Sequence, residues 1–165
     1  MRHICTISAA AILATFAGMA NAQALITHRS LSLNAAIEMA QAALAQCRSQ
    51  GYQVSITVLG QNSRALVTLH DDNANPHTIE NSLRKAYTAL TFRRTSGEYG
   101  KAAVANPQSV GALHLDKVTT LEGALPIMVG KELIGSIGIS GAPGGDKDAA
   151  CAQVGLDKIK AGLGS

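Results

Sequence analysis

The chain has 165 residues, a formal net charge of +3 and only 3% aromatic residues. Proteins that bind nucleic acid usually carry a strongly basic face with interleaved aromatic side chains, and no such stripe occurs in this sequence. The composition therefore argues against a nucleic-acid partner, and the length fits one domain with its own hydrophobic core.

The first predicted element is an apolar segment at the N-terminus. A basic residue precedes the apolar run of residues 4–19, and the small residues Ala20 and Ala22 follow it. This order is typical of a secretory signal peptide, although a membrane anchor is the alternative. The run is shorter than the roughly 20 apolar residues that a membrane span needs. We therefore expect residues 1–22 to be a signal peptide and residues 23–165 to be a periplasmic or secreted domain without a membrane span.

Residues 32–50 are predicted to form the first helix, because apolar side chains recur on one helical face. That face consists of Leu33, Ile37, Ala40, Leu44 and Cys47. Gly51 is the residue expected to end the helix. Residues 52–70 follow as a β-hairpin, and the alternation in its first strand predicts one buried face.

A polar turn at residues 71–76 leads into a second predicted helix at residues 78–94, with Thr78 as its N-cap. Its apolar stripe consists of Ile79, Leu83, Ala86, Tyr87 and Leu90. Residues 96–105 are predicted to form a shorter helix that ends before Pro107.

A second hairpin is predicted around Gly130 and Lys131, followed by a last helix that Asp146 or Asp148 caps. The buried face of that helix consists of Ala149, Ala152, Leu156, Ile159 and Leu163. The resulting order is α-β-β-α-α-β-β-α. It predicts a single α+β domain in which an antiparallel β-sheet is flanked by α-helices.

Cys47 and Cys151 are the two cysteines outside the predicted signal peptide. If the first and last helices pack antiparallel, the two thiols come together, and Gly155 leaves room for close approach. An oxidising compartment favours a disulfide between them. Two separate buried thiols are the alternative.

Gly135, Gly138 and Gly141 recur at intervals of three residues. This spacing does not match the dinucleotide-binding fingerprint, and no phosphate-binding loop motif accompanies it. Glycines within a strand instead allow a neighbouring helix or a flat ligand to approach the backbone. The sequence leaves both interpretations open.

His77 lies at the start of the second helix, and His70 lies on the other side of the preceding turn. The partial positive charge of a helix N-terminus favours the neutral imidazole, which is the form that binds metals. His77 is therefore the first candidate for a ligating residue and His70 the second, with solvated surface histidines as the default alternative. A zinc site that adds Asp71 and Asp72 matches no standard ligand spacing.

Arg84 and Lys85 lie about two turns further along the same predicted helix. Their cationic groups are candidates for binding carboxylates of a ligand. The alternative is that both are solvated charges on an exposed helix face.

Two segments resemble the GlcG/HbpS family of haem-binding (haem-degrading) domains, in its exported branch. The first, DDNANPHTIENSLRKAYTALTF, carries Lys85-Ala86-x-Thr88-Ala89 after an acidic turn. The second, LPIMVGKELIGSIGISGAPGGDKDAACA, carries an Ile-Gly-x-Ile-Gly-x-Ser-Gly strand with an aspartate downstream. The resemblance covers residues 31–161.

The resemblance implies a haem (tetrapyrrole) cofactor and assembly into a homo-oligomer. With haem as the ligand, His77 is the first candidate for binding the iron and His70 the second. Arg84 and Lys85 are candidates for binding the propionates. Any enzymatic activity would be slow haem degradation by the bound iron. The alternatives are a non-enzymatic sensing or interaction module and a cobalamin-binding accessory domain.

Overall fold

The computed structural model describes residues 25–164, and the predicted signal peptide lies outside the described residues. The elements occur in the order α1 (Leu33–Ser49), β1 (Ser55–Gly60), β2 (Ala65–His70), α2 (His77–Phe92), α3 (Ser96–Ala105), a 3₁₀ helix (Pro107–His114), β3 (Ala124–Val129), β4 (Glu132–Ser140) and α4 (Gly145–Lys160). This order confirms the predicted α+β domain. Within residues 25–164, no helix has the length and apolar character that crossing a membrane requires.

The four strands form one antiparallel sheet in the order β2-β1-β4-β3. Both predicted hairpins are present, and the second turns at Gly130, whose φ of 59° is left-handed and suits glycine. Every residue of β1 is buried, so the prediction of a single buried face was wrong. The reason is that helices cover both faces of the sheet.

α1 and α4 pack on one face of the sheet and enclose the main hydrophobic core. The central strands contribute Ile56, Val58, Ile137 and Ile139, all fully buried. The two helices approach closely at Gly155, where a Cβ atom would lie 2.6 Å from the backbone oxygen of Met39. The close contact between α1 and α4 therefore requires glycine at position 155.

The predicted disulfide joins the same two helices. Cys47 lies in the last turn of α1 and Cys151 in the second turn of α4, and their Cα atoms are 5.6 Å apart. The bridge closes a loop over a sequence separation of 104. Both cysteines are buried, so the bridge is part of the core.

The buried face of α1 is rotated from the predicted stripe. Leu33 and Ile37 are 54% and 36% exposed, whereas Ala36, Met39 and Ala43 are fully buried. The close contact with α4 explains the difference, because it favours small side chains over the larger aliphatic ones on the facing surface.

α2 packs on the opposite face of the sheet through polar side chains. Thr78 Oγ1 lies 2.7 Å from Ser55 Oγ, and Ser82 Oγ lies 2.8 Å from Thr57 Oγ1. All four residues are buried, while Ile79 of the predicted apolar stripe is 43% exposed. The predicted stripe was therefore wrong at Ile79, whereas Ala86 and Leu90 are buried and Leu83 and Tyr87 pack against the same apolar cluster. Hydroxyls of the helix and the sheet satisfy one another in the rest of the interface.

The start of α2 also differs from the prediction. The helix begins at His77 after Pro76, which makes no side-chain capping bond. Thr78 is therefore inside the helix, and its hydroxyl donates to the backbone oxygen of Asn75 at 2.6 Å. This bond ties the first turn of the helix to the turn before it.

The other helix starts give one confirmation and one correction. Thr95 and Glu98 form a capping box at the start of α3, which ends at Ala105 as predicted. α4 begins after Gly144, so neither Asp146 nor Asp148 is its N-cap. Asp148 is instead buried within the first turn, where it takes part in the site described next.

Candidate functional site

An open cavity of about 370 Å³ lies where the N-termini of α2 and α4 meet the end of β4. α2 lines it with His77, Asn81 and Lys85, which are spaced four residues apart on successive turns. Ser140 at the end of β4 and Asp148 of α4 are further polar residues of the lining. The cavity is therefore built from two helix N-termini and the end of a central strand.

His77 is the imidazole of this cavity. It is the first residue of α2, and its side chain is exposed at the cavity rim. The turn before it is held by the Thr78 hydroxyl and by a backbone bond from Thr78 N–H to Asn75 O, at 2.6 and 3.0 Å. The structure thus presents an accessible imidazole on a fixed helix start, as the sequence predicts.

Lys85 and Asp148 form a buried ion pair that links α2 to α4. Lys85 Nζ lies 2.6 Å from Asp148 Oδ2, and the two side chains are only 4% and 3% exposed. The other carboxylate oxygen of Asp148 accepts the N–H of Ala142 at 3.0 Å. Burial raises the pKa of the Asp148 carboxyl, and the ammonium of Lys85 opposes this shift.

The two basic candidates therefore have different surroundings. Lys85 lines the cavity but is not a solvated charge, because its ammonium is already paired with Asp148. Arg84 is exposed, is paired with Glu80 at 2.6 Å one turn earlier, and is not among the residues that line the cavity. The structure brings Lys85 to the site and leaves Arg84 outside it.

His70 also lies outside the cavity. It is the last residue of β2, the edge strand, and its Nδ1 atom lies 2.7 Å from Ser55 Oγ. Ser55 belongs to β1 and in turn contacts Thr78 at the start of α2. His70 and His77 are therefore connected through buried hydroxyls but do not line one cavity.

The alternative of a zinc site in the turn is not supported. Asp71 accepts two bonds from the guanidinium of Arg48, at 2.7 and 3.0 Å, so its carboxylate is already engaged. This hydrogen-bonded pairing lowers the pKa of Asp71. Among residues 25–164, no three His, Cys, Asp or Glu side chains are grouped closely enough to hold a metal ion.

The glycines of β4 serve packing between elements. A Cβ atom at Gly138 would lie 2.6 Å from the backbone nitrogen of Ala86, so this glycine allows α2 to lie against the strand. A Cβ at Gly135 would collide with the backbone oxygen of Leu59 in β1. Of the three glycines, Gly141 alone lines the cavity. Of the two interpretations that the sequence leaves open, the structure supports close packing of protein elements for Gly135 and Gly138.

Sequence reasoning missed most of the polar lining of the cavity. Asn81 Nδ2 donates to Ser140 Oγ at 2.9 Å, and this bond ties α2 to the end of β4. Asp148 was predicted only as a possible cap. One signal could have indicated the pair with Lys85: both residues lie on helix faces that otherwise carry small or hydroxylated side chains, where an unpaired charge would be costly.

These features define the class of protein to which the molecule belongs. The molecule is a single-domain α+β protein whose antiparallel sheet lies between helices. A polar cleft between two helix N-termini carries one accessible imidazole at the start of α2.

The chain belongs to the HbpS-like family, because the family described as "Haem degrading protein HbpS-like" matches residues 31–157. A crystal structure of a double mutant of Streptomyces reticuli HbpS is 31% identical, with a TM-score of 0.76, over 91% of this chain and 97% of that chain. The family match includes all four strands, α1, α2, α3 and most of α4.

Two further relatives extend this result. An uncharacterized 15.0 kDa protein from the dhaT-dhaS intergenic region of Citrobacter freundii is 28% identical over 130 residues, which are 78% of this chain and 91% of that protein. The crystal structure of a PduOC:haem complex is 22% identical, with a TM-score of 0.73, over 79% of this chain and 96% of that chain. At this identity the PduOC structure shows a shared fold.

Proposed function

We propose that this protein is an exported haem-binding protein that holds haem in the cavity between the N-termini of α2 and α4. The observation that carries the proposal is the accessible imidazole of His77 at the rim of that cavity. Membership of the HbpS-like family and the haem complex of PduOC support the choice of ligand.

The donor set of the cavity fits haem better than a bare metal ion. Haem brings four nitrogen ligands of its own and needs one or two axial ligands from the protein. Among the described residues that line the cavity, His77 is the only histidine, cysteine, methionine or tyrosine. His77 would therefore be the axial ligand, and the hydrogen bonds of Thr78 would fix the position of the helix start that carries it.

The N-terminus of α4 is the part of the cavity best suited to carboxylates. Gly144 and Gly145 line the cavity, and the first N–H groups of a helix lack partners within the helix and attract anions. Lys85 lies behind them, where it neutralises Asp148. We therefore assign the haem propionates to the start of α4, with Lys85 as a secondary charge and Arg84 outside the site.

The chemistry that haem supplies when bound is the redox chemistry of its iron. His77 would supply an imidazole nitrogen to the iron, and the Lys85–Asp148 pair would form a polar floor beneath the bound group. The family description names haem degradation, and we propose slow degradation of the bound haem as the activity of this chain. The cavity is open on one side, and we propose that a second copy of the chain covers it in a homo-oligomer.

A haemin titration of the protein without residues 1–22 tests the proposed site. We expect a strong Soret band for the wild type and at least a tenfold higher Kd with a shifted band for His77→Ala, because the iron loses its axial nitrogen. His114→Ala is the matched control, since His114 is an exposed histidine of the 3₁₀ helix that does not line the cavity. Equal affinity and equal spectra for wild type and His77→Ala would rule out His77 as the ligand.

Export and assembly have separate tests. Cleavage after Ala22 predicts that Gln23 is the N-terminal residue of the exported protein, which N-terminal sequencing would identify. Light scattering coupled to size exclusion should give a mass of at least two chains. An intact Met1 on exported material, or a monomer at all concentrations, would contradict the respective proposal.

A further inference from the structure

Another open cavity, of about 440 Å³, lies towards the opposite end of α2 from the first. Its floor is apolar, because Leu90 and Leu133 line it and are only 6% and 7% exposed. Both leucines belong to a small buried cluster that includes Leu59 and Ala86. A cavity of this volume with an apolar floor can hold a small organic molecule.

The turn between β1 and β2 forms a polar side of this cavity. Gln61, Asn62 and Ser63 line it. Two backbone bonds close the turn, from Ser63 N–H to Gly60 O at 2.9 Å and from Gly60 N–H to Arg64 O at 3.0 Å. Asn62 Oδ1 accepts the N–H of Arg64 at 3.2 Å, which leaves the amide Nδ2 group of Asn62 to donate to a ligand. The turn therefore holds side-chain amides at the cavity on a fixed loop.

Arg93 is the cationic residue of this cavity. It is the C-cap of α2 and has a left-handed backbone with a φ of 53°, a conformation in which glycine is the usual residue. Three other arginines, Arg29, Arg48 and Arg84, are paired with carboxylates, whereas Arg93 takes part in no ion pair within residues 25–164. A strained backbone that carries an unpaired cation to the edge of a cavity points to a ligand for that cation.

The charges around the cavity favour an anion. Among the described residues that line it, none is an aspartate or a glutamate. Glu132 precedes the lining residue Leu133 in the chain, but its carboxylate is paired with Arg29 at 2.7 Å. The last carbonyls of α2 carry about half a negative charge, which the full positive charge of Arg93 outweighs. Lys117 adds a second ammonium, 5.9 Å from the ring centroid of Tyr87, which also lines the cavity.

We propose that this cavity binds a small carboxylate with an apolar body and that Arg93 pairs with the carboxylate. A guanidinium can donate two parallel N–H bonds to a carboxylate, which fixes the orientation of the ligand. The apolar body lies on Leu90 and Leu133, and the amide of Asn62 is a further donor at the charged end. The site shares no lining residue with the cavity at His77, so it does not depend on haem binding.

Titration of the purified apo protein with benzoate at neutral pH, followed by ¹H–¹⁵N NMR, tests the site. We expect the largest shifts at the backbone amides of Asn62, Arg93 and Leu133. Benzamide keeps the ring without the charge and acetate keeps the carboxylate without the ring, so each should bind about tenfold more weakly than benzoate. Benzamide binding as tightly as benzoate, or shifts centred on His77 and Gly145 at the other cavity, would overturn the proposal.

Arg93→Gly tests the role of the charge, because glycine suits the left-handed backbone and the fold should be retained. We expect unchanged or higher thermal stability and about a tenfold higher Kd for benzoate. Arg94→Ala is the matched control, since Arg94 is the next residue in the chain, is exposed and does not line this cavity. Its Kd should equal that of the wild type. Binding of benzoate by Arg93→Gly with the wild-type Kd, or no shifts in the wild type at a large excess of benzoate, would contradict the proposal. No haem is present in these titrations, so their outcome is separate from that of the haemin experiments.

Discussion

The two faces of the sheet are built in different ways. On one face, α1 and α4 bury aliphatic side chains and are joined by the disulfide of Cys47 and Cys151. On the other face, α2 begins at the open cavity and contacts the strands through hydroxyl pairs and a small apolar cluster. A buried aliphatic side chain contributes roughly 1.5 to 3 kcal/mol, and a hydrogen bond about 1 kcal/mol net.

The apolar face therefore contributes mainly to stability, whereas the polar face positions the candidate ligands. The apolar face contains the main hydrophobic core and provides most of the folding free energy. Its packing does not depend on the direction of hydrogen bonds. The polar face fixes the orientation of its side chains, because hydroxyl and charged groups there have defined hydrogen-bond partners. The candidate ligands His77 and His70 both belong to the polar side, so changes on the apolar face should alter stability and leave ligand binding intact.

The largest predicted effect is on the apolar face. The double variant Cys47→Ala/Cys151→Ala should lose about 4 to 5 kcal/mol of unfolding free energy, because the disulfide closes a long loop. Urea denaturation without reductant measures this loss, and reduced wild type provides the control. Haemin affinity of the folded variant should not change. Equal stability of the variant and the oxidised wild type would contradict the comparison.

The next effect concerns the buried ion pair. Lys85→Met should cost about 3 to 4 kcal/mol, because Asp148 is left buried without its partner. The double variant Lys85→Met/Asp148→Leu should recover most of the loss. Arg84→Met is the matched control, since its pair with Glu80 is exposed and should contribute under about 1 kcal/mol. Similar losses of unfolding free energy for Lys85→Met and Arg84→Met would contradict a special contribution of the buried pair to stability.

A smaller effect is expected for the hydroxyl pairs. Ser82→Ala should cost about 1 to 2 kcal/mol, because Thr57 keeps a buried hydroxyl without an acceptor. Thr57→Val/Ser82→Ala removes both groups and should lie closer to the wild type. Denaturation of the single and double variants measures the difference, and a double variant less stable than Ser82→Ala would contradict this view of the interface.

The smallest predicted effect is a loss of stability at acidic pH that depends on Asp71. Arg48 lowers the pKa of Asp71, so the folded state favours the ionised carboxylate. The stabilisation is therefore complete above the usual aspartate range and is lost as pH falls through the lowered pKa. Asp71→Asn should remove part of the stability difference between pH 6 and pH 2.5. Identical pH profiles for the variant and the wild type would show that the pair does not contribute.

The sequence predicted the order of the elements, both hairpins and the disulfide, because these depend on local periodicity, turn residues and a single possible thiol pair. It did not predict the buried positions of α1 correctly or the hydroxyl side of α2. A serine or threonine has the same pattern whether it faces water or a hydroxyl on a strand, so the pairs of Thr78 and Ser82 with the sheet were missed. The Lys85–Asp148 pair was missed because it joins residues that are 63 positions apart in the sequence.

The proposed function depends most on His77, which would bind the iron of haem held in the cavity. A His77→Tyr variant tests it most directly, because phenolate also binds ferric haem but gives a different absorption spectrum. With haemin added, we predict that His77→Tyr replaces the wild-type spectrum with bands typical of tyrosinate-bound iron, while His114→Tyr leaves the spectrum unchanged. A His77→Tyr complex with the wild-type spectrum and affinity would contradict the assignment.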